Sequence, residues 1–162
     1  MSFGRKNKSD EPLSAEAARQ KAMRLLARRE HSARQLSQKL RAGGVEAPDA
    51  SALLEDLQEQ GWQSDTRFAL AMARTRVAQG YGPLRIRAEL AMAGVDAHAI
   101  AELLAELDVD FQQLCIDTYR RKHSTPAASA AERAKHWRSL AQRGFDGSQI
   151  QAALKWEEPG ND

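Results

Sequence analysis

Three glycines, Gly44, Gly94 and Gly144, stand fifty residues apart, and their surroundings repeat with the same period. Each is followed by an apolar residue (Val45, Val95, Phe145) and then by an acid (Glu46, Asp96, Asp146). Leu40, Leu90 and Leu140 lie four residues before them, and Leu54, Leu104 and Leu154 ten residues after. Ala50, Ile100 and Ile150 coincide as well. Self-similarity at a fixed period marks a repeat array, in which each unit buries its apolar face against its neighbours. A chain of 162 residues holds three such units, each too small to bury much core by itself.

Composition tells what a unit is made of. Alanine (29) and leucine (17) dominate, whereas valine and isoleucine together number 8. Helices favour the first pair and strands the second, so composition disfavours a β-sandwich or barrel. The single cysteine, Cys115, leaves no internal disulfide and no cysteine zinc site. No apolar run reaches the about 18 residues of a membrane span, and the first ten residues lack the apolar stretch of a secretory signal. The expectation is a soluble cytoplasmic protein.

Each unit reads as three helices. Ser14 caps a first helix to about Arg29, with Ala18, Ala22, Leu25 and Leu26 inward. Ser32 caps a second, with Leu36 and Leu40 one turn apart, ended by Gly43-Gly44. A third starts near Pro48-Asp49, carries Leu53, Leu54 and Leu57, and stops at Gly61. In the second unit Ser64 caps a helix through Gln79 that buries Phe68, Ala71 and Met72. Gly80-Tyr-Gly82-Pro83 then turns into a helix with Ile86 and Leu90 inward, and Asp96 caps the sixth. The third unit reads as Asp110 to about Lys122, a Ser-Thr-Pro-Ala linker, Ala128 to Arg143, and a last helix from Asp146. His136 takes the slot of Leu36 and Ile86, so Trp137 is expected to supply that core contact through a slight rotation. Trp62, Phe68, Phe111, Phe145 and Trp156 are read as core or junction residues, leaving Tyr81 as the surface aromatic. The expected fold is all-α: three tandem three-helix repeats (13–61, 62–108 and 109–156) forming an elongated, curved array. The tails 1–12 and 157–162 are expected to be disordered.

The formal net charge of +2 hides a segregation of sign. From Arg19 to Arg41 there are eight bases and one acid; from Glu46 to Asp65, six acids and no base. Five bases and no acid follow from Arg67 to Arg87, seven acids and no base from Glu89 to Asp117, and seven bases with one acid from Arg120 to Arg143. In helical register Lys21, Arg24 and Arg28 form one stripe, Arg34 and Arg41 share a face, and so do Arg67 and Arg74. Arg85 and Arg87 open the fifth helix; Arg120 and Arg121 close the seventh. Any one of these fits a solvated surface or a helix C-terminus complementing the dipole. Their blockwise recurrence instead outlines a basic face suited to a polyanion, DNA phosphate or acidic protein, with the acidic third helices facing solvent or repelling competing DNA. Arginine predominates, which favours bidentate contacts. Scarce surface aromatics argue against base stacking. A helix-turn-helix across Gly44 is disfavoured, because its second helix would carry Glu46, Asp49, Glu55, Asp56 and Glu59 toward phosphates.

Nothing points to catalysis or to a bound metal or cofactor. There is no P-loop, and Gly80-Tyr-Gly82-Pro83 makes a poor phosphate loop because proline removes a donor. Cys115 lies among Leu114, Ile116 and Tyr119, a core setting.

The residues resemble a known family, the RecX regulators of the RecA recombinase, over roughly residues 15–155. Arg29-Glu-His-Ser32 with Leu36 and Lys39-Leu40 is similar to its first-repeat signature. Gly82-Pro-Leu-Arg-Ile-Arg-Ala-Glu-Leu90 with Gly94-Val95 is similar to the second, and Leu140-Ala-Gln-Arg-Gly-Phe145 with Ile150 to the third. Trp62-x-x-Asp65 and Phe68 fit the start of its fourth helix; Gln35 and His136 depart from its pattern. The resemblance implies a partner of the RecA filament on single-stranded DNA, and a monomer is expected. It would inhibit strand exchange, ATP hydrolysis and coprotease function from the filament groove or growing end, as a regulator and not as an enzyme. The basic residues above carry no site status from the family; they come from the charge pattern. The rival reading is a sequence-independent DNA binder competing for the single strand.

Overall fold

The computed structural model describes residues 11–155, and the expected disorder of the two tails falls almost entirely outside them. Among the described residues there are nine helices and no strands. They run α1 Ala15–Arg28, α2 Ala33–Ala42, α3 Ala47–Glu59, α4 Asp65–Ala78, α5 Pro83–Met92, α6 Ala97–Glu106, α7 Phe111–Lys122, α8 Ala130–Gln142 and α9 Gly147–Leu154. The chain divides within α4 into two compact units, one ending at Phe68 and the other starting at Ala69.

The helix starts follow from short polar caps. Ser14 accepts from the Ala17 amide at 3.2 Å, and Asp110 from that of Gln113 at 3.0 Å. Ser32 Oγ accepts from Gln35 N at 3.1 Å while the Gln35 side-chain Oε1 accepts the Ser32 amide at 3.3 Å, a capping box that Asp146 and Gln149 repeat before α9. Pro83 opens α5, where its missing N–H costs nothing. The α8 start lies two residues later than expected, because Ser129 caps it by accepting from Glu132 N.

The fifty-residue signature is one local motif used three times. Gly44, Gly94 and Gly144 adopt φ of 100°, 87° and 92°, the left-handed region that an L side chain resists. Each sits just past the second helix of its triplet, and the next amide bonds back five residues: Val45 N to Leu40 O, Val95 N to Leu90 O, Phe145 N to Leu140 O, at 3.0, 3.1 and 3.3 Å. The glycine amide itself donates to Arg41, Ala91 or Ala141 O, closing a Schellman cap. The leucine, the glycine and the apolar residue after it are thus held in spacing by the cap's hydrogen bonds and its hydrophobic contact.

In the first unit Ala18, Ala22, Leu36, Leu40, Val45, Ala50 and Leu57 form the buried core, with Leu13, Met23, Leu25, Leu26, Leu53 and Leu54 around it. In the second unit α5 and α6 bury Ile86, Leu90, Val95 and Ile100, and α7 packs mainly on α9. Cys115, Tyr119, Leu140, Phe145, Ile150, Ala153 and Leu154 make a further cluster there. Burial raises the Cys115 thiol to about 12, so it stays an inert core group.

Three side chains differ from expectation. Ala71 is exposed, because Ala69 and Ala73 carry the buried register of α4. Trp62 is 51% exposed, on a turn whose buried residue is Gln63. His136 fills its apolar slot itself: it is buried, with Nδ1 2.8 Å from the Tyr119 hydroxyl, and Trp137 only flanks the cluster. A polar partner, not a rotation of α8, makes histidine admissible there.

Candidate functional site

Six of the eleven basic candidates belong to the first unit. Arg24, Arg28 and Arg41 are exposed, and their guanidiniums make no hydrogen bond or ion pair to another described residue; Arg34 is exposed as well. Lys21 is half-buried, its amine laid across Gly43 at the C-terminus of α2, the negative end of that helix dipole. Arg67 is held as a clamp. Its Nε bonds Glu30 Oε1 at 3.0 Å, and its Nη2 donates to Gly61 O and Trp62 O at 2.8 and 3.1 Å.

Two groups that the charge pattern did not single out complete this region. Lys39 Nζ donates to His31 Nε2 at 3.0 Å, while His31 Nδ1–H donates to Arg29 O at 3.0 Å. His31 is buried, and its pKa is lowered, first by that burial. Lys39 is lowered by desolvation and then by the Arg29 and Arg28 guanidiniums. Positive charge is therefore concentrated where α1 ends and α2 begins. The motif Arg29-Glu-His-Ser32 with Lys39 carried that signal, since it places Arg29 and His31 in the turn and Lys39 on α2 within reach of the imidazole.

The α3–α4 turn is pinned to the same place. Asp65 Oδ1 accepts the Ala33 amide at 2.8 Å, and Gln63 Nε2 donates to His31 O at 3.1 Å. This is what the Trp62-x-x-Asp65 pattern does: Asp65 serves as a remote acceptor for an orphan amide of α2. The acidic α3 does not simply face solvent, for Asp56 pairs with Arg19 of α1 and Gln60 bonds the same guanidinium at 2.6 Å. Its other acids, Glu46, Asp49, Glu55 and Glu59, are exposed.

The remaining five candidates belong to the second unit. Arg74, Arg87 and Arg121 are exposed without a partner among the described residues, and Arg120 is exposed beside Arg121. Arg85 is half-buried and lies over the Tyr81 ring, guanidinium carbon 4.1 Å from the centroid. Arg143 and Arg76 stand 5.3 and 5.9 Å from the same centroid, so Tyr81 is an arginine-stacking platform and not an open aromatic. Glu89 closes the cluster, 2.7 Å from Arg76 Nε and 3.8 Å from Arg85 Nε. Beneath it, Gly82 N donates to Arg143 O at 2.7 Å and Leu84 N to Gly144 O at 2.9 Å.

His98 and His136 each have a glutamate one helical turn away, Glu102 and Glu132. No group of three or more metal-ligating side chains is gathered among the described residues. No helix there is long and apolar enough to cross a membrane.

Comparison with known proteins places this architecture. The model of the RecX first three-helix domain matches residues 18–57, that of the second 64–104 and that of the third 108–154. A regulatory protein RecX of Xanthomonas campestris pv. campestris (strain B100) is 40% identical over 155 residues, covering 95% of this chain and 92% of that protein. One from Stenotrophomonas maltophilia (strain R551-3) is 42% identical over 139 residues, covering 85% of each. The crystal structure of RecX from Lactobacillus salivarius shares the fold, with a TM-score of 0.72 at 18% identity over 87% of this chain and 94% of that one. Three consecutive domain matches and relatives aligned nearly end to end lead to one conclusion: the chain belongs to the RecX family of regulatory proteins.

Proposed function

We propose that this protein is a negative modulator of the RecA recombinase, binding the RecA filament on single-stranded DNA in its groove or at its growing end. Bound there it lowers strand exchange, ATP hydrolysis and coprotease function in recombination, repair and the SOS response. It acts as a monomer, without a cofactor and not as an enzyme. The observation that carries this reading is family membership across all three triplets. The residue-level support is the set of exposed guanidiniums lacking carboxylate partners: Arg24, Arg28, Arg41, Arg74, Arg87 and Arg121. Such groups keep their donors for phosphates or for the acidic face of a partner. Arg34 and Arg120 are exposed in the same way, while Lys21, Arg67 and Arg85 make contacts within their own units.

The test is RecA ATP hydrolysis on excess single-stranded DNA, titrated with this protein. Inhibition at well below one molecule per recombinase is expected, with end capping favoured at the lowest ratios. Inhibition only when DNA is limiting would instead establish competition for the strand. The exposed arginines also fit that second reading, and neutralising about six phosphates would then give a log–log salt slope near −4. Reversing both Arg24 and Arg28 to Glu is expected to weaken inhibition by about tenfold or more at unchanged helicity. Unchanged inhibition would remove α1 from the interface.

A further inference from the structure

The second unit opens a cavity of about 280 Å³ between the end of α4, the last turns of α7 and the body of α8. Its lining brings together Thr118, Arg121, Lys122, His123, His136 and Arg143, and it includes no carboxylate. The Thr118 hydroxyl oxygen is buried without any hydrogen-bond partner. A buried hydroxyl left unsatisfied is uncommon, and it asks for a ligand or water oxygen. Arg121 and Lys122 have no partner among the described residues, and Arg143 is fixed by donating from Nη1 to Gln79 O and Gly80 O at 3.2 and 3.4 Å.

Two imidazoles lie against each other in the wall, their ring centroids 3.9 Å apart. Burial raises the pKa of the Tyr119 phenol, which donates to His136 Nδ1 at 2.8 Å, and His136 Nε2 lies 3.8 Å from Glu132 Oε1. His123 has a lowered pKa, from burial and then from His136 and Lys122. Burial first, and the neighbouring charges after it, thus disfavour the protonated form of His123. The cavity lies near the small end of the about 300–1,000 Å³ common for ligand sites. A hydroxyl donor, two arginines, a lysine and an imidazole in one small recess match a tetrahedral oxyanion.

We propose that this cavity takes a phosphate group, carried by a nucleotide or by a nucleic acid strand, with Thr118, Arg121, Lys122 and His123 as donors and Arg143 as a fixed positive charge behind them. Such binding would hold whether or not the filament reading is right. An anion bound beside His123 favours its protonated form, so binding tightens as pH falls. The groups that set this response are Arg121 and Lys122 on α7, Glu132 and His136 on α8 and Arg143 beyond its end. The α4 end contributes only the neutral Gln79 and Gly80.

The test is imidazole NMR of the full chain during titration with inorganic phosphate, with dAMP and with an oligothymidine strand, against sodium chloride at matched ionic strength. Saturable shifts of His123 and His136 with phosphate and dAMP, a rise of about half a pH unit or more in the His123 midpoint, and affinity about fivefold lower in Thr118→Val and in Lys122→Ala are expected. Oligothymidine displacing dAMP would identify a strand phosphate as the source; oligothymidine leaving both rings unmoved would identify a small phosphorylated ligand. Shifts equal to those of chloride, or no saturation by about 10 mM phosphate, overturn the proposal. If the cluster is only a polar core element, His123→Gln changes stability and leaves the phosphate titration as it was. The double variant Tyr119→Phe/His136→Leu removes the buried polar pair but none of the proposed donors, so the His123 response to phosphate is expected to persist there, and its loss in a variant that remains folded overturns the donor assignment.

Discussion

Gly44 and Gly144 occupy the same place in their repeats, with nearly the same φ and the same cap hydrogen bonds, yet they do different work. Around Gly44 a Cβ would find only Leu13 Cγ, at 4.0 Å, and its carbonyl accepts from Leu13 N at 3.3 Å. Around Gly144 a Cβ would run into the backbone of Arg85, 2.5 Å from its nitrogen and 2.9 Å from its Cα. Gly82 faces it in the same way, meeting Phe145 N at 2.5 Å. One turn only ends a helix; the other also joins the second repeat to the third by backbone-to-backbone contact. Repetition in sequence thus conserves the local motif and lets the tertiary duty vary.

The largest expected effect separates the two turns. Gly44→Ala meets only the left-handed penalty of about 1–2 kcal/mol. Gly144→Ala adds a backbone overlap that no rotamer relieves and should cost more than about 3 kcal/mol, read from urea denaturation of the full chain. Equal losses would show that the overlap relaxes and would erase the distinction.

A second contrast sets His31 in the first unit against His123 in the second. Both folded-state pKa values lie below the ordinary 6.5, so each group binds more protons unfolded than folded. Their contribution to stability is present above pH 6.5 and declines as pH falls from there through the folded value, by at most about 1.4 kcal/mol per pH unit for each. His31, more deeply buried, should account for more of the slope. His31→Ala is therefore expected to flatten the pH dependence of the urea midpoint more than His123→Ala, and the reverse order would move the pH-sensitive site to the second unit.

The smallest effect compares two arginine clamps. Arg67 holds Gly61 O and Trp62 O at the end of α3; Arg143 holds Gln79 O and Gly80 O at the end of α4. Truncation to Ala should cost about 1 kcal/mol in each, with Arg67 also losing its Glu30 pair, worth less than about 1 kcal/mol at that exposure. Thermal midpoints of the two variants should lie within a few degrees of each other.

The helices and most caps were legible because they depend on near neighbours. Ser14, Ser32, Asp96 and Asp110 each bond an amide two or three residues on, and Leu40-Gly44-Val45 closes on itself. Charge segregation likewise placed most of the exposed arginines. What could not be read was long-range partnership. Nothing local distinguishes Arg67, committed to a turn, from Arg74, which is exposed. Nor does the sequence show that Gly82 needs to be glycine because of residues some sixty positions later, or that Tyr119 makes His136 tolerable in an apolar slot.

The Gly82–Arg143 hydrogen bond also orders events at the ribosome. The contacts of the first unit are complete once the chain up to Phe68 has emerged, whereas the second repeat must wait for the 143–145 turn before its own joint can close. At about 5–20 residues per second, the 77 residues between those points take about 4–15 s to synthesise. Over that interval the nascent chain carries a finished first unit ahead of a helix pair with its glycine seam still open, the stage at which a chaperone or protease would meet it.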